Sequence, residues 1–215
     1  MTTLTTKAPV TTGSMFKEFL RSPLQVGAVA PSSRRLATEV TLPVPESGNP
    51  VVVELGPGTG AFTTVIQELL GGRGHHLAVE INPRLASALA ERFPRVTVLH
   101  AEAAALPRLL HAYGSGAADV VISGLPWAGL PRPVQQTTLA SIHQSLSPQG
   151  AFTTFGYLHA TGLSPARRFR RMLGASFEEV IAGRTVWANL PPAFVYHTRR
   201  PRPHALHPAG TPVPA

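Results

Sequence analysis

The 215-residue sequence predicts an α/β fold: an open, mostly parallel sheet with helices on both faces. Three observations predict it. Short apolar runs alternate with amphipathic helical stretches across residues 51–200. The first run, VVVEL, enters the glycine loop Gly56-Pro57-Gly58-Thr59-Gly60 and then a helix. Acidic residues stand where successive strands end, at Glu54, Glu80 and Glu102.

Residues 1–13 are Thr-rich and read as a disordered tail, followed by a helical extension over residues 14–45. In that extension Met15, Phe16, Phe19 and Leu20 share one side at helical spacing, with Lys17 and Arg21 elsewhere. This pattern predicts an amphipathic helix, then a loop and a second helix over SSRRLATEV. The main domain spans residues 46–200. VVVEL is its first strand, apolar throughout as buried parallel strands are. AFTTVIQELL follows as a helix that stops at Gly71-Gly72, and HHLAVE is the second strand. Asn82 caps a helix that has Pro83 in its first turn and continues through RLASALAERF. RVTVLH is the third strand, AAALPRLLHAY a weak helix interrupted by Pro107, and ADVVIS the fourth strand. PVQQTTLASIHQSL reads as a helix halted by Pro148 and Gly150, and GAFTTFGY as the fifth strand. SPARRFRRML is a short helix with Ser164 and Pro165 at its start. SFEEVIAGRTVW and PAFVYHTRR read as two closing strands, the second antiparallel, before a Pro-rich tail over residues 201–215.

Bulk properties narrow the function. Hydrophobic residues make up 43% of the chain, enough for a full core in one domain. There is no cysteine, which excludes disulfides, thiolate zinc sites and cysteine nucleophiles. The net charge is +8, carried almost wholly by arginine since Lys7 and Lys17 are the only lysines, and it favours anionic partners such as phospholipid or nucleic acid. No apolar run reaches the roughly 20 residues that span a bilayer. Residues 1–13 lack the apolar centre of a signal peptide. A cytoplasmic chain is therefore expected, soluble or peripheral on the inner face of the membrane, and monomeric.

The strongest constellation is Glu54-Leu55-Gly56-Pro57-Gly58-Thr59-Gly60. Glycine serves where the backbone turns tightly and lies against a ligand. The spacing is Gly-x-Gly-x-Gly, one residue shorter than the dinucleotide fingerprint, and an acid precedes it. An acid there disfavours a pyrophosphate and suits a cationic ligand such as S-adenosylmethionine, which carries a sulfonium and an ammonium. Glu80 ends the second strand, where a carboxylate can accept from both ribose hydroxyls, and Ile81 follows it. Glu102, beside Ala103, comes just past the third strand, where an acid could meet the adenine amino group.

In this order the residues resemble the class I S-adenosylmethionine-dependent methyltransferases, a Rossmann-like family, over residues 14–200. The resemblance implies a seven-stranded sheet with one antiparallel strand, and no metal. It implies that Glu54, Gly56, Gly58, Thr59 and Gly60 line the methionine end of the cofactor, that Glu80 and Ile81 hold the ribose, and that Glu102 and Ala103 meet adenine.

The loop Ser123-Gly124-Leu125-Pro126-Trp127 after the fourth strand bears on the methyl acceptor. It resembles the Asn-Leu-Pro-Tyr loop of rRNA adenine dimethylases, where the amide holds an exocyclic amine and the aromatic ring stacks on the base. Here a serine hydroxyl replaces the amide, a poorer match to a planar NH2. Trp127 could instead stack on a cation. A closer resemblance joins FLRSPLQVGAVAPSSRRLA, SGLPW and VWANLPPAFVY to the small bacterial phospholipid N-methyltransferases, which methylate phosphatidylethanolamine. That resemblance implies an N-terminal helix touching the membrane and a following loop closing over the cofactor. Ser123 and the Leu125 carbonyl are then the candidates to position the amine, with Trp127 beside them. Tyr157 and His159 are candidates to orient it or take its proton, ahead of Asn189 and Tyr196. Arg167, Arg168, Arg170 and Arg171 form a basic cluster that could attract anionic headgroups. The alternatives are a nucleic-acid adenine N6-methyltransferase, a secondary-metabolite methyltransferase, and a protein of this fold that binds without catalysis.

Overall fold

The structure is a computed structural model describing residues 32–203. The tail at residues 1–13, the expected amphipathic helix around Met15–Leu20, and residues 204–215 of the tail expected over 201–215 lie outside the described residues; that tail is corrected at its start, where Pro201 ends a strand and Arg202 donates to the Ser176 and Phe177 carbonyls. Seven strands form one sheet: β1 (Val51–Leu55), β2 (His75–Glu80), β3 (Thr97–His100), β4 (Ala118–Ser123), β5 (Leu146–Tyr157), β6 (Phe177–Ala182) and β7 (Ala193–Pro201). Their order is β3-β2-β1-β4-β5-β7-β6. β1 through β5 pair in parallel, and β7 runs antiparallel to both its neighbours. The helices are α1 (Arg34–Val40), α2 (Ala61–Leu70), α3 (Pro83–Arg92), α4 (Leu106–Tyr113), α5 (Arg132–Ser145) and α6 (Ser164–Ser176).

Side chains alternate between the faces of a strand, and both faces here are covered. Val53, Leu55 and Val121 point to one face, where Leu106, Ile142 and Leu173 close the core. Val52, Val120 and Ile122 point to the other, against Leu36, Phe62 and Ile66 of α1 and α2. The continuous apolar runs VVVEL and ADVVIS are thus explained by burial on two sides.

Several local expectations hold. Asn82 caps α3 by accepting from the backbone of Arg84 and Leu85, with Pro83 in the first turn. The helix expected over SSRRLATEV is α1, capped by the Ser33 side chain. Others are corrected. Pro107 does not interrupt a helix. A 3-10 turn over Ala103–Ala105 comes first, and Pro107 sits in the opening turn of α4, where its missing N–H costs nothing. β5 begins at Leu146 rather than at Gly150, because Ala118 pairs with Leu146 while Val120 pairs with Ala151. The extra β5 residues, Pro148 and Gly150 among them, sit in that irregularity. β6 ends at Ala182 instead of reaching Trp187; only Val186 bridges back to β7, at Ala193. Among the described residues, no helix is long and apolar enough to cross a membrane.

Candidate active site

Sheet order reverses direction around β1, whose neighbours are β2 and β4, and the loops leaving β1 and β4 meet there. Leu55 is level with Val79 on one side and Ser123 on the other. Gly56 donates its N–H to the Val79 carbonyl at 2.9 Å, and Gly124 donates to the Leu55 carbonyl at 2.8 Å. The contact between the loops admits no side chain. A Cβ on Gly124 would lie 2.5 Å from the Gly56 carbonyl oxygen, and one on Gly56 would lie 2.8 Å from Leu125 Cδ2. Gly58 differs: it has φ of 56° and nothing within 4 Å of its Cβ position, so the space over it is open. Thr59 beside it is exposed, and its carbonyl accepts from Arg92 at 3.0 Å. Gly60, with φ of 87°, presses against Phe93 and Leu89 at the end of α3.

The three acids take three different positions. Glu80 faces the glycine loop: Oε2 accepts from Gly58 N at 3.2 Å and Oε1 from Asn82 N at 2.9 Å. Each oxygen keeps a lone pair for a further donor. Glu54 differs from the expectation of a side chain lining the crevice. It alternates onto the α2 face and is fully buried, where Oε2 accepts from Thr63 Oγ1 at 2.7 Å. The His76 ring reaches the same oxygen at 3.2 Å, and Gln67 of α2 touches the other ring nitrogen at 3.0 Å. Glu54 therefore ties β1, β2 and α2 together beneath the glycine loop, and its charge reaches the crevice only through space. Its Oε1 has no partner among the described residues. Glu102 lies half-buried at the end of β3, with no side-chain bond to the turn that follows. Ile81 and Ala103 are buried beside these strand ends.

The 123–127 loop is braced from within. Ser123 is fully buried, and its hydroxyl accepts from Leu125 N at 3.2 Å and Trp127 Nε1 at 3.1 Å. Both hydroxyl lone pairs are used, so Ser123 shapes the loop and has no lone pair left for an amine donor. The Leu125 carbonyl already accepts from Trp127 N at 3.0 Å and retains one lone pair. The Trp127 carbonyl accepts from Gln135 of α5, whose Oε1 accepts from Arg168 of α6 at 3.0 Å. Arg168 thus supports the loop, while Arg167, Arg170 and Arg171 are exposed. Trp127 is only 2% exposed, and its ring stacks on Phe169 at 4.3 Å.

Beyond this loop, at the end of β5, lies a narrow cavity of about 30 Å³. Six aromatic residues line it: Trp127, Phe155, Tyr157, Phe169, Phe194 and Tyr196. The contacts Trp127–Phe169–Tyr196–Phe194 run along one side, and Phe155 meets Tyr157 edge-on at 5.3 Å on the other. No hydrogen bond from another described residue acts on either phenol, at 157 or at 196. Burial pushes both phenols above their usual range, opposed at Tyr196 by the nearby Arg170 charge. Both stay protonated at neutral pH, so Tyr157 can orient a group but is a poor proton acceptor. His159 is exposed, its ring stacked 5.6 Å from that of Tyr157. Asn189 is buried away from the cavity, where Oδ1 accepts from Ser33 N at 2.8 Å.

Sequence reasoning missed Gly124, Phe155, Phe169 and Phe194. The last three come from β5, α6 and β7, and only the antiparallel return of β7 beside β5 brings them together. Phe-x-Tyr, which occurs at residues 155–157 and again at 194–196, was the available signal.

Comparison with known proteins gives concordant findings. The methyltransferase-domain family matches residues 52–150. An ornithine lipid N-methyltransferase from Singulisphaera acidiphila is 30% identical over 185 residues, covering 85% of this chain and 92% of that one. Among solved structures, the Burkholderia thailandensis 1,6-didemethyltoxoflavin-N1-methyltransferase, with bound 1,6-didemethyltoxoflavin and S-adenosylhomocysteine, superposes with a TM-score of 0.61 at 20% identity, over 90% of this chain and 92% of that chain. Human methyltransferase-like protein 13 in complex with SAH gives a TM-score of 0.58 at 16% identity, over 82% of this chain and 85% of that chain. At these identities the solved structures speak to fold alone.

Proposed function

The chain belongs to the class I S-adenosylmethionine-dependent methyltransferases, and from that premise we propose that it methylates the amine of a membrane amino lipid. Its cofactor is S-adenosylmethionine. The residues present fit that group. Open space lies over Gly58, the Glu80 oxygens beside it each keep a lone pair, and buried Ile81 and Ala103 offer an apolar seat for the base. Glu80 would hold the ribose hydroxyls and Glu102 the adenine edge, while the buried Glu54 carboxylate favours a cationic ligand at the loop. The cofactor supplies a methyl on a sulfonium sulfur, which the amine lone pair takes while the carbon–sulfur electron pair stays with sulfur.

The observation that carries the proposal is the aromatic cavity next to the 123–127 loop. Aromatic walls suit the apolar flank of a free amine, and their faces attract the ammonium that methyl transfer to it leaves behind. Among the described residues, no carboxylate or histidine lines the cavity to take a proton. Burial disfavours the charged amine, so the substrate enters as the free base with its proton left to solvent. Neutral Tyr157 and Tyr196 then orient the nitrogen through their phenol oxygens. The chain's part is alignment of nucleophile and methyl. A nucleic-acid base is the weaker acceptor, because the Trp127 ring that would stack on it is already packed against Phe169. Ornithine lipid, the substrate named for the relative, and phosphatidylethanolamine both carry a suitable amine.

The test is incubation of the purified chain with methyl-labelled cofactor and, separately, phosphatidylethanolamine, ornithine lipid and rRNA. Label is expected in a lipid extract. Tyr196→Phe should lower kcat/KM about tenfold, the worth of one hydrogen bond, with cofactor affinity unchanged. Label in the RNA alone would overturn the proposal.

A further inference from the structure

We infer that the loop between β6 and β7 docks on the surface of a bilayer that carries anionic lipid. Tyr157 pairs with Ala193 and Ala182 with Tyr196, so this loop, residues 183–192, leaves the sheet at the same end as the cavity. It is a built feature. Val186 exchanges backbone bonds with Ala193, and the buried Asn189 bonds to Ser33 N and to the Pro191 carbonyl. With those two residues turned inward, Trp187 and Leu190 are turned out, 73% and 79% exposed. The loop after β5 joins the same rim, since Leu158 N donates to the Pro192 carbonyl at 2.9 Å. It adds Leu158 and Leu163, 37% and 53% exposed.

The chemistry beside these side chains selects the occupant. Trp187 forms one wall of an open groove that also includes Arg34, Arg35, Arg184 and Glu39. Arg34 is held by Glu68 at 2.6 Å, but Arg35 and Arg184 have no carboxylate partner among the described residues. A half-apolar tryptophan flanked by unpaired guanidinium groups suits the boundary between acyl chains and anionic headgroups. A second copy of this chain would bring the same arginines, and a net charge of +8, against themselves. The inference rests on the lipid-amine proposal, because it delivers the acceptor to the rim on which the cavity lies.

Tryptophan emission tests it on the full-length chain. The sequence holds two tryptophans: Trp127 is buried and Trp187 is exposed, so a change in emission reports on Trp187. Vesicles of phosphatidylcholine with phosphatidylglycerol should shift the emission to the blue, and phosphatidylcholine alone should shift it less. Trp187→Phe should abolish the shift while still binding S-adenosylhomocysteine. Arg35→Glu with Arg184→Glu should weaken vesicle binding roughly tenfold or more. Co-sedimentation with vesicles without any shift would overturn the inference, since another part of the chain would then make the contact. A Trp187 contribution already blue without vesicles, read as wild type minus Trp187→Phe, would also overturn it, as would a contribution that turns blue with protein concentration; the loop would then be covered by residues 1–31 or by a second copy. Lipid methylation measured in detergent micelles separates the two ideas. Methylation without a vesicle shift removes the docking surface alone, and a shift without methylation removes the lipid-amine proposal.

Discussion

At Gly124 a single hydrogen atom in place of a methyl lets the loops after β1 and β4 touch. A Cβ there meets the Gly56 carbonyl oxygen at 2.5 Å, and that oxygen belongs to backbone which cannot swing aside. Gly124→Ala should therefore push the loops apart, costing about 1–3 kcal/mol of stability as overpacked sites do. S-adenosylhomocysteine affinity should fall as well, read by calorimetry beside a urea melt. At this scale the sequence disclosed identities more readily than directions. Glu54 and Glu80 were both legible as acids at strand ends. Only the alternation of side chains along β1 sends Glu54 down to Thr63 and His76, while Glu80 meets the glycine loop. Ser123 was legible as a polar residue ahead of the loop, but that its hydroxyl is consumed by Leu125 N and Trp127 Nε1 follows from the turn itself.

Among the elements, α6 shows how one helix serves two surroundings. Its arginines suggested a face for anionic headgroups. The structure keeps Arg167, Arg170 and Arg171 outside but turns Arg168 toward Gln135. Phe169 and Leu173, four residues apart, make its buried stripe, and Phe169 forms the back wall of the cavity by stacking on Trp127. Phe169→Ala should destabilise the fold by about 3–5 kcal/mol, the usual cost of truncating a buried phenylalanine. It should also lower kcat/KM for the lipid amine while leaving S-adenosylhomocysteine affinity within error, since α6 packs chiefly on the Trp127 turn and β6. A matched loss of both would place the helix in cofactor binding instead. Strand and helix positions were largely readable because apolar periodicity reports burial directly. Pro107 and the β5 start were not, because proline stands as well at the first turn of a helix as at its break, and a bulge leaves no periodic trace.

For the whole molecule, pH dependence follows from His197 on β7. Burial holds its imidazole below the ordinary value of 6.5, with Glu39 opposing and Arg199 assisting. The unfolded chain therefore binds a proton first as pH falls. Stability is complete above that value and declines as pH drops through and below it. The urea midpoint should fall between about pH 7 and about pH 5, and less so in His197→Gln. An equal fall in the variant would assign the loss to other groups. By itself the sequence determined the α/β class, the family and the cofactor that the family uses. Those follow from local spacing: apolar period, glycine interval, and an acid at each strand end. The tertiary structure alone decided the wall of the aromatic cavity and the apolar rim beside it. Phe155, Phe169 and Phe194 meet because β7 returns antiparallel between β5 and β6, and Trp187 faces outward because Val186 and Asn189 are pinned inward. Such contacts join residues far apart in the chain, and no local pattern encodes which side chains a sheet will bring to one edge.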